Sequence, residues 1–394
     1  MIKKHITLLV LVLWSILSFS QTSSTLSLSK FSQISIITSG PGEALYEKFG
    51  HTAIRVKDPM LQLDLIYNYG IINFENPNFY IDFTKGFMKY KLARYPFYLA
   101  LKSSQKDKRW VKEQVLNLTE KQKNKVFQFL EINAAPKNAS YFYDPFFDNC
   151  ATKPRDIIQK VLGKNLVFKD SFVKNDLSIR QLMNREIHPN TWGSLGINIA
   201  LGSKLDKIAS PTEYLYLPDY VFEALQESKV KKNNKEENLI SKTNTLLDFK
   251  EKESNPDLIS PFWVILLLSI IGIFITYKDY TKNKRSKWLD FLILFITGIF
   301  GVLILFLWFF TNHSTAPNNF NFLWAFAPNL VISFVLLKSN LPKWVNLYFK
   351  MTLILLSLIP LIWVVKIQLF SYTLIPFFIF LGIRYWFLQK TLNR

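Results

Sequence analysis

The sequence is poor in the residues that build metal centres and disulfides. It has one cysteine, Cys150, and four histidines among 394 residues. A single cysteine permits no internal disulfide, and it cannot supply the paired spacings that a zinc site needs. No glycine-rich phosphate loop follows a predicted strand. We therefore expect neither a metal nor another cofactor.

Acidic residues are also scarce, with 29 Asp and Glu against 48 Lys and Arg, so the formal net charge is +19. No Lys/Arg-rich reader helix or known nucleic-acid motif accompanies this charge, which argues against nucleic acid as a partner. Much of the charge lies in a predicted linker and in short loops between apolar segments. Together with 35 phenylalanines, this favours an anionic membrane surface as the partner.

The N-terminus has the pattern of a secretory signal. Lys3 and Lys4 precede a mainly apolar run from Ile6 to Phe19, and small residues allow cleavage before Gln21. An uncleaved anchor is the alternative. No cysteine follows the apolar run, so the protein is not itself expected to be a lipoprotein. The residues after position 20 are predicted to be exported.

The C-terminal third changes to long apolar segments. The candidate membrane helices are Phe262 to Tyr277, Trp288 to Phe310, Phe322 to Leu337, Leu347 to Val365 and Leu369 to Leu388. Lys278 to Lys287 carries five Lys or Arg, whereas Thr311 to Asn319 carries none. The positive-inside rule therefore places the C-terminus in the cytoplasm and Thr311 to Asn319 outside. This predicts a multi-pass protein of the inner (cytoplasmic) membrane with a periplasmic N-terminal domain.

The pattern predicts four segments. They are a signal peptide at 1–20, a periplasmic domain at 21–228, a charged linker at 229–259 and a five-helix membrane domain at 260–394. The linker assignment depends on Lys229 to Asp257, which lacks an apolar period and is typical of a linker or a solvated helix. Within the periplasmic domain, Lys106 to Glu131 is predicted to be helical and Trp192 to Gly202 to be a loop.

Cys150 lies where an aromatic, strand-like run gives way to a predicted helix. Asp148 or Asn149 can cap this helix, and Pro154 suits its first turn. The helix N-terminus favours the thiolate, and its free N–H groups could hold a developing oxyanion. A lone cysteine is also often only a small buried hydrophobe. The pattern thus makes Cys150 a candidate nucleophile.

His51 is the one histidine on a predicted strand. His5 lies in the signal, His188 lies in a loop, and His313 lies in the loop between membrane spans that is predicted to face outside. A strand histidine followed by a helix-start cysteine is the permuted order of a papain-like thiol site. We therefore predict an α+β fold, with a permuted papain-like (NlpC/P60-like) domain before an all-α transmembrane bundle.

A third group should orient the imidazole from the adjacent strand. The turn near Asp58 and Pro59 places residues around Ile66 to Asn68 opposite His51. Asn68 is the first choice, with Asp64 and Tyr67 behind it.

These residues resemble a known family. Gly50 to Val56, Tyr67 to Gly70 and Asn149 to Thr152 with Pro154, Arg155 and Asp156 are similar to the periplasmic domain of the Lnb lipoprotein N-acyltransferase family. The likeness extends through Ser178 to Leu182, Leu201, Gly202, Asp206, Leu217 to Tyr220 and, in the membrane part, Thr311 to His313, Asn318, Asn321, Leu323 and Trp324. Lys153 departs from the family pattern, in which we expect arginine, so bidentate anion binding there is in doubt.

The resemblance implies a function. Cys150 would take a fatty acyl chain from a phospholipid as a thioester, with His51 as base, and pass it to the N-terminal amine of a diacylglyceryl-cysteine lipoprotein. The implied partners are a phospholipid donor, a diacylated lipoprotein acceptor and the membrane. The candidate substrate-binding residues are Asn149, Thr152, Arg155, His313, Asn321 and Trp324. A membrane-anchored thiol hydrolase, acting on peptidoglycan peptides or lipid esters, and a binding or sensor module with an inert Cys/His pair remain alternatives.

Overall fold

The protein is a sheet-rich N-terminal domain followed by a helical membrane region, so the predicted α+β class is confirmed. A computed structural model describes residues 26–72, 77–232 and 235–391. The predicted signal peptide and His5 lie outside these residues.

The N-terminal domain is built on an antiparallel sheet, in which the described chain places seven strands in the order β10-β5-β1-β2-β3-β4-β6. A second, three-stranded sheet has the order β7-β8-β9. The strands are β1 Gln33–Ser39, β2 His51–Asp58, β3 Leu63–Ile71, β4 Lys89–Pro96, β5 Val111–Leu116, β6 Ser140–Phe142, β7 Leu166–Val167, β8 Lys229–Lys232, β9 Lys235–Asn238 and β10 Ile240–Leu247.

Helices cover the sheet and then form the membrane region. Those of the periplasmic domain are α1 Phe79–Thr84, α2 Phe97–Lys106, α3 Glu120–Ala134, α4 Thr152–Leu162, α5 Ile179–Glu186, α6 Trp192–Ala200, α7 Pro211–Tyr214 and α8 Pro218–Glu227. Those of the membrane region are α9 Pro261–Thr281, α10 Lys287–Phe309, α11 Asn329–Val335, α12 Trp344–Val364 and α13 Ile375–Thr391.

The core of the periplasmic domain joins the sheet to the cysteine helix. Ile36 of β1 and Ile54 of β2 are fully buried, and Ile157, Ile158 and other apolar residues of α4 belong to the same cluster. Burial of each such side chain stabilises the fold by roughly 1.5–3 kcal/mol. This packing fixes the helix that follows Cys150 against the sheet that carries His51.

The helix predicted over Lys106 to Glu131 is wrong as a single element. α2 ends at Lys106, β5 occupies Val111–Leu116, and α3 begins at Glu120 behind a Thr119 cap. β5 pairs with β1 on one side and β10 on the other. This distant pairing overrides the local helical pattern. The predicted loop at Trp192 to Gly202 is likewise helix α6, whose N-terminus Thr191 caps.

The predicted linker is also largely wrong, because β8, β9 and β10 lie within it. β10 forms the edge of the main sheet, and most of its side chains are at least partly exposed. An exposed edge strand is held by backbone hydrogen bonds and therefore needs no apolar period. The remaining residues up to α9 are hydrogen-bonded to the N-terminal domain. Glu251 accepts from Trp110 Nε1, and Asp257 accepts from the Trp192 N–H.

Four helices in the described residues are long and apolar enough to cross a membrane: α9, α10, α12 and the segment Tyr372–Thr391 that contains α13. The expected span Phe322 to Leu337 is not one continuous helix. A 3-10 turn at Phe320–Leu323 is separated from the short helix α11 by a non-helical segment containing Pro328. Pro328 lacks the N–H that a continuous helix requires.

Two glycines of α10 explain how the broken segment packs. A Cβ at Gly301 would meet the backbone of Ala325 and Ala327, and one at Gly298 would meet the backbone of Leu330. Small residues permit this close backbone approach in a membrane protein. The neighbouring Asn329 Nδ2 donates to Thr297 Oγ1 at 2.9 Å, so a buried amide is satisfied where the helix is interrupted.

Candidate active site

His51 and Asn68 lie side by side on adjacent strands. His51 Nε2 is 2.7 Å from Asn68 Oδ1, and Asn68 Nδ2 donates to Tyr95 Oη at 2.9 Å. With the amide in this orientation, its oxygen accepts from the protonated Nε2 of the imidazole. This leaves the other ring nitrogen of His51 for the thiol. Asp64 instead pairs with Arg55 at 2.7 Å, and the Tyr67 hydroxyl donates to Glu131.

Asn149 holds the turn that carries the cysteine. Its Oδ1 accepts from the N–H groups of Ala151 and Thr152, at 2.9 and 3.0 Å. Its Nδ2 donates to the carbonyls of Pro145 and Tyr216, each at 2.8 Å. Asn149 therefore caps the helix, as one of the two predicted candidates. The same bonds occupy helix-start N–H groups that we had expected to face an oxyanion.

The partly buried Cys150 thiol has three polar neighbours. The His51 imidazole, the Tyr143 hydroxyl and the Thr52 backbone N–H all lie within hydrogen-bonding reach of the sulfur. Gly70 also lies beside the thiol. It has φ +95°, and a Cβ there would lie 3.7 Å from Cys150 Cβ and 3.3 Å from the Tyr143 ring. Both the backbone conformation and the space favour glycine.

The electrostatics of the site favour a thiolate–imidazolium pair. Burial acts to raise the pKa of Cys150, but the charge of His51 and the hydrogen bonds from His51, Thr52 and Tyr143 outweigh it and lower this pKa. Burial acts to lower the pKa of His51, but the charge of Cys150 and hydrogen bonds with Cys150 and Asn68 outweigh it and raise that pKa. Opposite shifts in two contacting groups are the pattern of an activated nucleophile and its base.

Two residues near the thiol were missed from the sequence. Burial and the neighbouring Cys150 charge raise the pKa of Tyr143, which therefore remains a neutral donor. The charge of Arg109 reaches both His51 and Cys150, while its Nε donates to the Gly40 carbonyl at 2.7 Å. Tyr143 stands in the aromatic run before the cysteine, which is a weak signal, and Arg109 has no local signal at all.

The substrate-binding candidates beside Cys150 are engaged within the protein. Thr152 Oγ1 accepts from the Asn149 N–H at 2.8 Å. The Arg155 guanidinium bonds to Asp156 and to the Thr212 carbonyl, and its side chain is 11% exposed. The structure thus gives Asn149, Thr152 and Arg155 supporting positions around the cysteine turn.

The candidates in the membrane domain lie at its junction with the periplasmic domain. Asn321 Nδ2 donates to the Asn198 carbonyl at 3.0 Å, and its Oδ1 accepts from Trp324 Nε1 at 2.9 Å. Trp324 is buried in the apolar cluster of the membrane region. The His313 ring packs edge-on against Phe83 of α1, with centroids 6.3 Å apart.

The loop after α10 also contacts the cysteine turn. Ser314 Oγ donates to Asp144 Oδ2 at 2.5 Å, while Asp144 Oδ1 accepts from the Phe146 and Phe147 N–H groups. The Gly202 N–H donates to the Thr315 carbonyl at 2.8 Å. The loop Thr311 to Asn319 therefore lies on the same side as the thiol domain and braces the turn that leads to Cys150.

A buried ion pair supports the same junction. Arg180 Nε donates to Asp206 Oδ1 at 2.9 Å, and both side chains are essentially inaccessible. Arg180 also bonds to the Gly202 carbonyl at 2.8 Å, and Asp206 accepts from the Leu369 N–H at 3.1 Å. The described residues include no group of three or more His, Cys, Asp or Glu side chains that could hold a metal ion.

Two family models match the chain. The Lnb N-terminal periplasmic domain matches residues 19–185, and the Lnb transmembrane domain matches residues 252–393. No curated protein and no solved structure matches the chain. The first match contains His51, Asn68 and Cys150, and the second contains the loop that braces the cysteine turn. The chain therefore belongs to the Lnb-type lipoprotein N-acyltransferase family.

Proposed function

We propose that this protein transfers a fatty acyl chain from a phospholipid, through a Cys150 thioester, to the N-terminal amine of diacylglyceryl-cysteine lipoproteins. The observation that carries the proposal is the Cys150–His51–Asn68 arrangement, hydrogen-bonded through its cysteine turn to a loop of the membrane domain. Both substrates are anchored in lipid, so a thiol held at the membrane is where this reaction needs it. Membership in the family supports an acyltransferase rather than an inert pair.

The first half-reaction loads the cysteine. The Cys150 thiolate attacks an ester carbonyl of the phospholipid, and the Tyr143 hydroxyl and Thr52 N–H, which are donors to the sulfur, would stabilise the oxyanion that forms beside it. The intermediate collapses to a thioester, and the ester oxygen leaves as lysophospholipid after taking a proton from the His51 imidazolium. Asn68 keeps the imidazole oriented throughout.

The second half-reaction unloads it. The lipoprotein amine attacks the thioester carbonyl, and His51, now neutral, accepts the amine proton. The Cys150 thiolate leaves, and an amide-linked third chain remains on the lipoprotein. The thiolate–imidazolium pair is thereby restored, so the cycle needs no cofactor.

We further propose the orientation that this reaction requires. A signal peptide is removed before Gln21, the thiol domain lies in the periplasm, and the C-terminus lies in the cytoplasm, with α9 to α13 in the inner membrane. The charge bias of the loops supports this orientation, as does the contact of Thr311 to Asn319 with the periplasmic domain.

The test is direct observation of the intermediate. Incubation of the protein in phospholipid nanodiscs without acceptor should leave one acyl group on Cys150, detected by intact mass and released by neutral hydroxylamine. A diacylated lipopeptide with a free N-terminus should discharge it to an amide, whereas an N-acetylated lipopeptide should not. Cys150→Ser should lose transfer because a hydroxyl is a much poorer nucleophile.

The same experiment separates the hydrolase alternative. Discharge to free fatty acid, whatever amine is offered, would identify a lipid hydrolase. Full transfer by Cys150→Ser would refute the thiol mechanism.

A further inference from the structure

An exposed apolar surface surrounds helix α1, between β3 and β4. Its members are large apolar side chains with solvent-accessible fractions of 42–73%: Tyr80, Ile81, Phe83, Phe87 and Phe142. We call these five residues the α1 face. The Phe87 and Phe142 rings pack with their centroids 6.1 Å apart, which joins the segment after α1 to β6, the strand that precedes the cysteine turn. Contiguous exposed aromatics of this kind mark an interaction surface.

The α1 face is attached to the outer end of a membrane helix. The Asn312 N–H donates to the Lys85 carbonyl at 2.8 Å, directly after α1. Gly86 has φ +81°, and a Cβ there would meet the backbone of Asn312 and His313. α10 ends at Phe309, and both Phe309 and Phe310 are exposed. The α1 face is therefore level with the aromatic end of a membrane span.

We infer that the α1 face inserts into the membrane leaflet on the side of the thiol domain and is where the donor's acyl chain leaves the bilayer. The occupant is lipid because the face continues an existing lipid boundary, at the depth where aromatic side chains prefer to lie. Exposed Lys85, Lys89 and Lys91 flank it, which favours anionic lipid headgroups.

The chain path ties the α1 face to the thiol. β3 ends at Ile71, directly after Gly70, where an added Cβ would lie 3.7 Å from Cys150 Cβ. Phe142 immediately precedes Tyr143, whose hydroxyl reaches the sulfur. A lipid chain that packs against the α1 face would thus approach the thiol beside Gly70 and Tyr143. This step rests on the proposed function, because it assumes that Cys150 accepts an acyl chain.

Insertion can be measured without activity. In a Cys150→Ser background, Ile81→Cys carries an environment-sensitive fluorophore in phospholipid nanodiscs containing doxyl-labelled lipid. The matched control is Met60→Cys, which is similarly exposed but lies in the turn at the opposite end of β3. The nine residues of β3 separate the two ends by about 30 Å. We expect quenching at position 81 and none at position 60. If the fluorophore is quenched at neither position, the inference that the α1 face inserts into the membrane is overturned.

Delivery is measured by acyl loading of otherwise wild-type Cys150. Ile81→Asp should slow loading from nanodisc phospholipid by about tenfold, since a charge opposes insertion into the apolar layer. It should leave loading from a water-soluble p-nitrophenyl butyrate unchanged, and Met60→Asp should change neither rate. Loss with both donors would mean a general defect in the fold and would overturn the delivery role. Unchanged loading from phospholipid would overturn it too.

The two proposals fail differently. If wild-type Cys150 is loaded by neither donor, the acyl-transfer proposal fails while the quenching result still stands. If loading is normal but quenching is absent at position 81, the insertion inference alone fails.

Discussion

Removal of the His51 imidazole should change the reactivity of Cys150 in a calculable way. In His51→Ala the charge and hydrogen bond that lower the pKa of Cys150 disappear, whereas the burial that raises it remains. The hydrogen bonds from Thr52 and Tyr143 also remain, so the pKa of the mutant thiol should rise above that of the wild-type thiol toward the ordinary thiol value. For comparison, an ordinary thiol with a pKa near 8.5 is about 1% thiolate at pH 6.5.

The expected change in rate follows from two opposing effects. Each pKa unit restored to the thiol lowers its thiolate fraction about tenfold at pH values below both pKa values. The thiolate of a more basic thiol is also more nucleophilic, with a Brønsted coefficient of about 0.4–0.5, which offsets roughly half of that loss on a logarithmic scale. Alkylation at acidic pH should therefore slow by about threefold for every unit that His51 contributes.

The assay is iodoacetamide alkylation of the folded protein from pH 5 to pH 9, followed by intact mass. Cys150 is the only cysteine, so no other thiol contributes. His188→Ala is the matched control, because His188 lies in the same domain and bonds only to the nearby Asn190 N–H among the described ring contacts. A His51→Ala profile that coincides with the wild-type profile would refute the pairing of the two residues.

Acyl loading should fall at both low and high pH. The lowered pKa of Cys150 keeps the thiolate at pH values where an ordinary thiol is protonated, and loading is lost as the pH falls through that pKa. The raised pKa of His51 keeps the imidazolium above its ordinary range, and protonation of the leaving group is lost as the pH rises through it. Loading should be bell-shaped in pH.

Three further outcomes are expected. Gly70 has φ +95°, and an added Cβ would lie close to Cys150 and Tyr143. Gly70→Ala should therefore lower the free energy of unfolding by about 1–2 kcal/mol in denaturant and slow acyl loading. Unaltered stability and loading would contradict the assigned packing. Asp206→Ala leaves the Arg180 charge buried without its carboxylate and should cost about 3–5 kcal/mol in the same measurement, with a change below 1 kcal/mol contradicting a buried pair. A reporter fused after Arg394 should be active only in the cytoplasm, and activity in the periplasm instead would reverse the proposed orientation.

Much of the candidate site could be anticipated because its signals are local. A helix start needs a cap within a few residues, so Asn149 and Pro154 marked the turn at Cys150. The histidine strand and its hairpin partner are separated by a short turn, which brought Asn68 to His51. The register differs in detail, since Ile54 lies opposite Tyr67, and Asn68 reaches His51 diagonally across the hairpin.

The misassigned elements depend on distant partners. β5 reads as part of a helix until β1 and β10 pair with its backbone, and β10 reads as a linker until β5 pairs with it. The interruption around Pro328 is accommodated because Gly298 and Gly301 of another helix let its backbone approach. Edge pairing and backbone-to-backbone packing leave little trace in a local hydrophobic pattern.

The sequence alone determined four of the five expected membrane helices, because the hydrocarbon layer requires long apolar runs that can be read residue by residue. It also determined the pairing of one cysteine with one strand histidine, because the chain offers no other thiol. Only the tertiary structure brought Tyr143, Thr52 and Arg109 around that thiol and joined the Thr311 to Asn319 loop to the cysteine turn. These contacts join segments far apart in the chain, and the burial that shifts the pKa of Cys150 exists only once those segments have packed together.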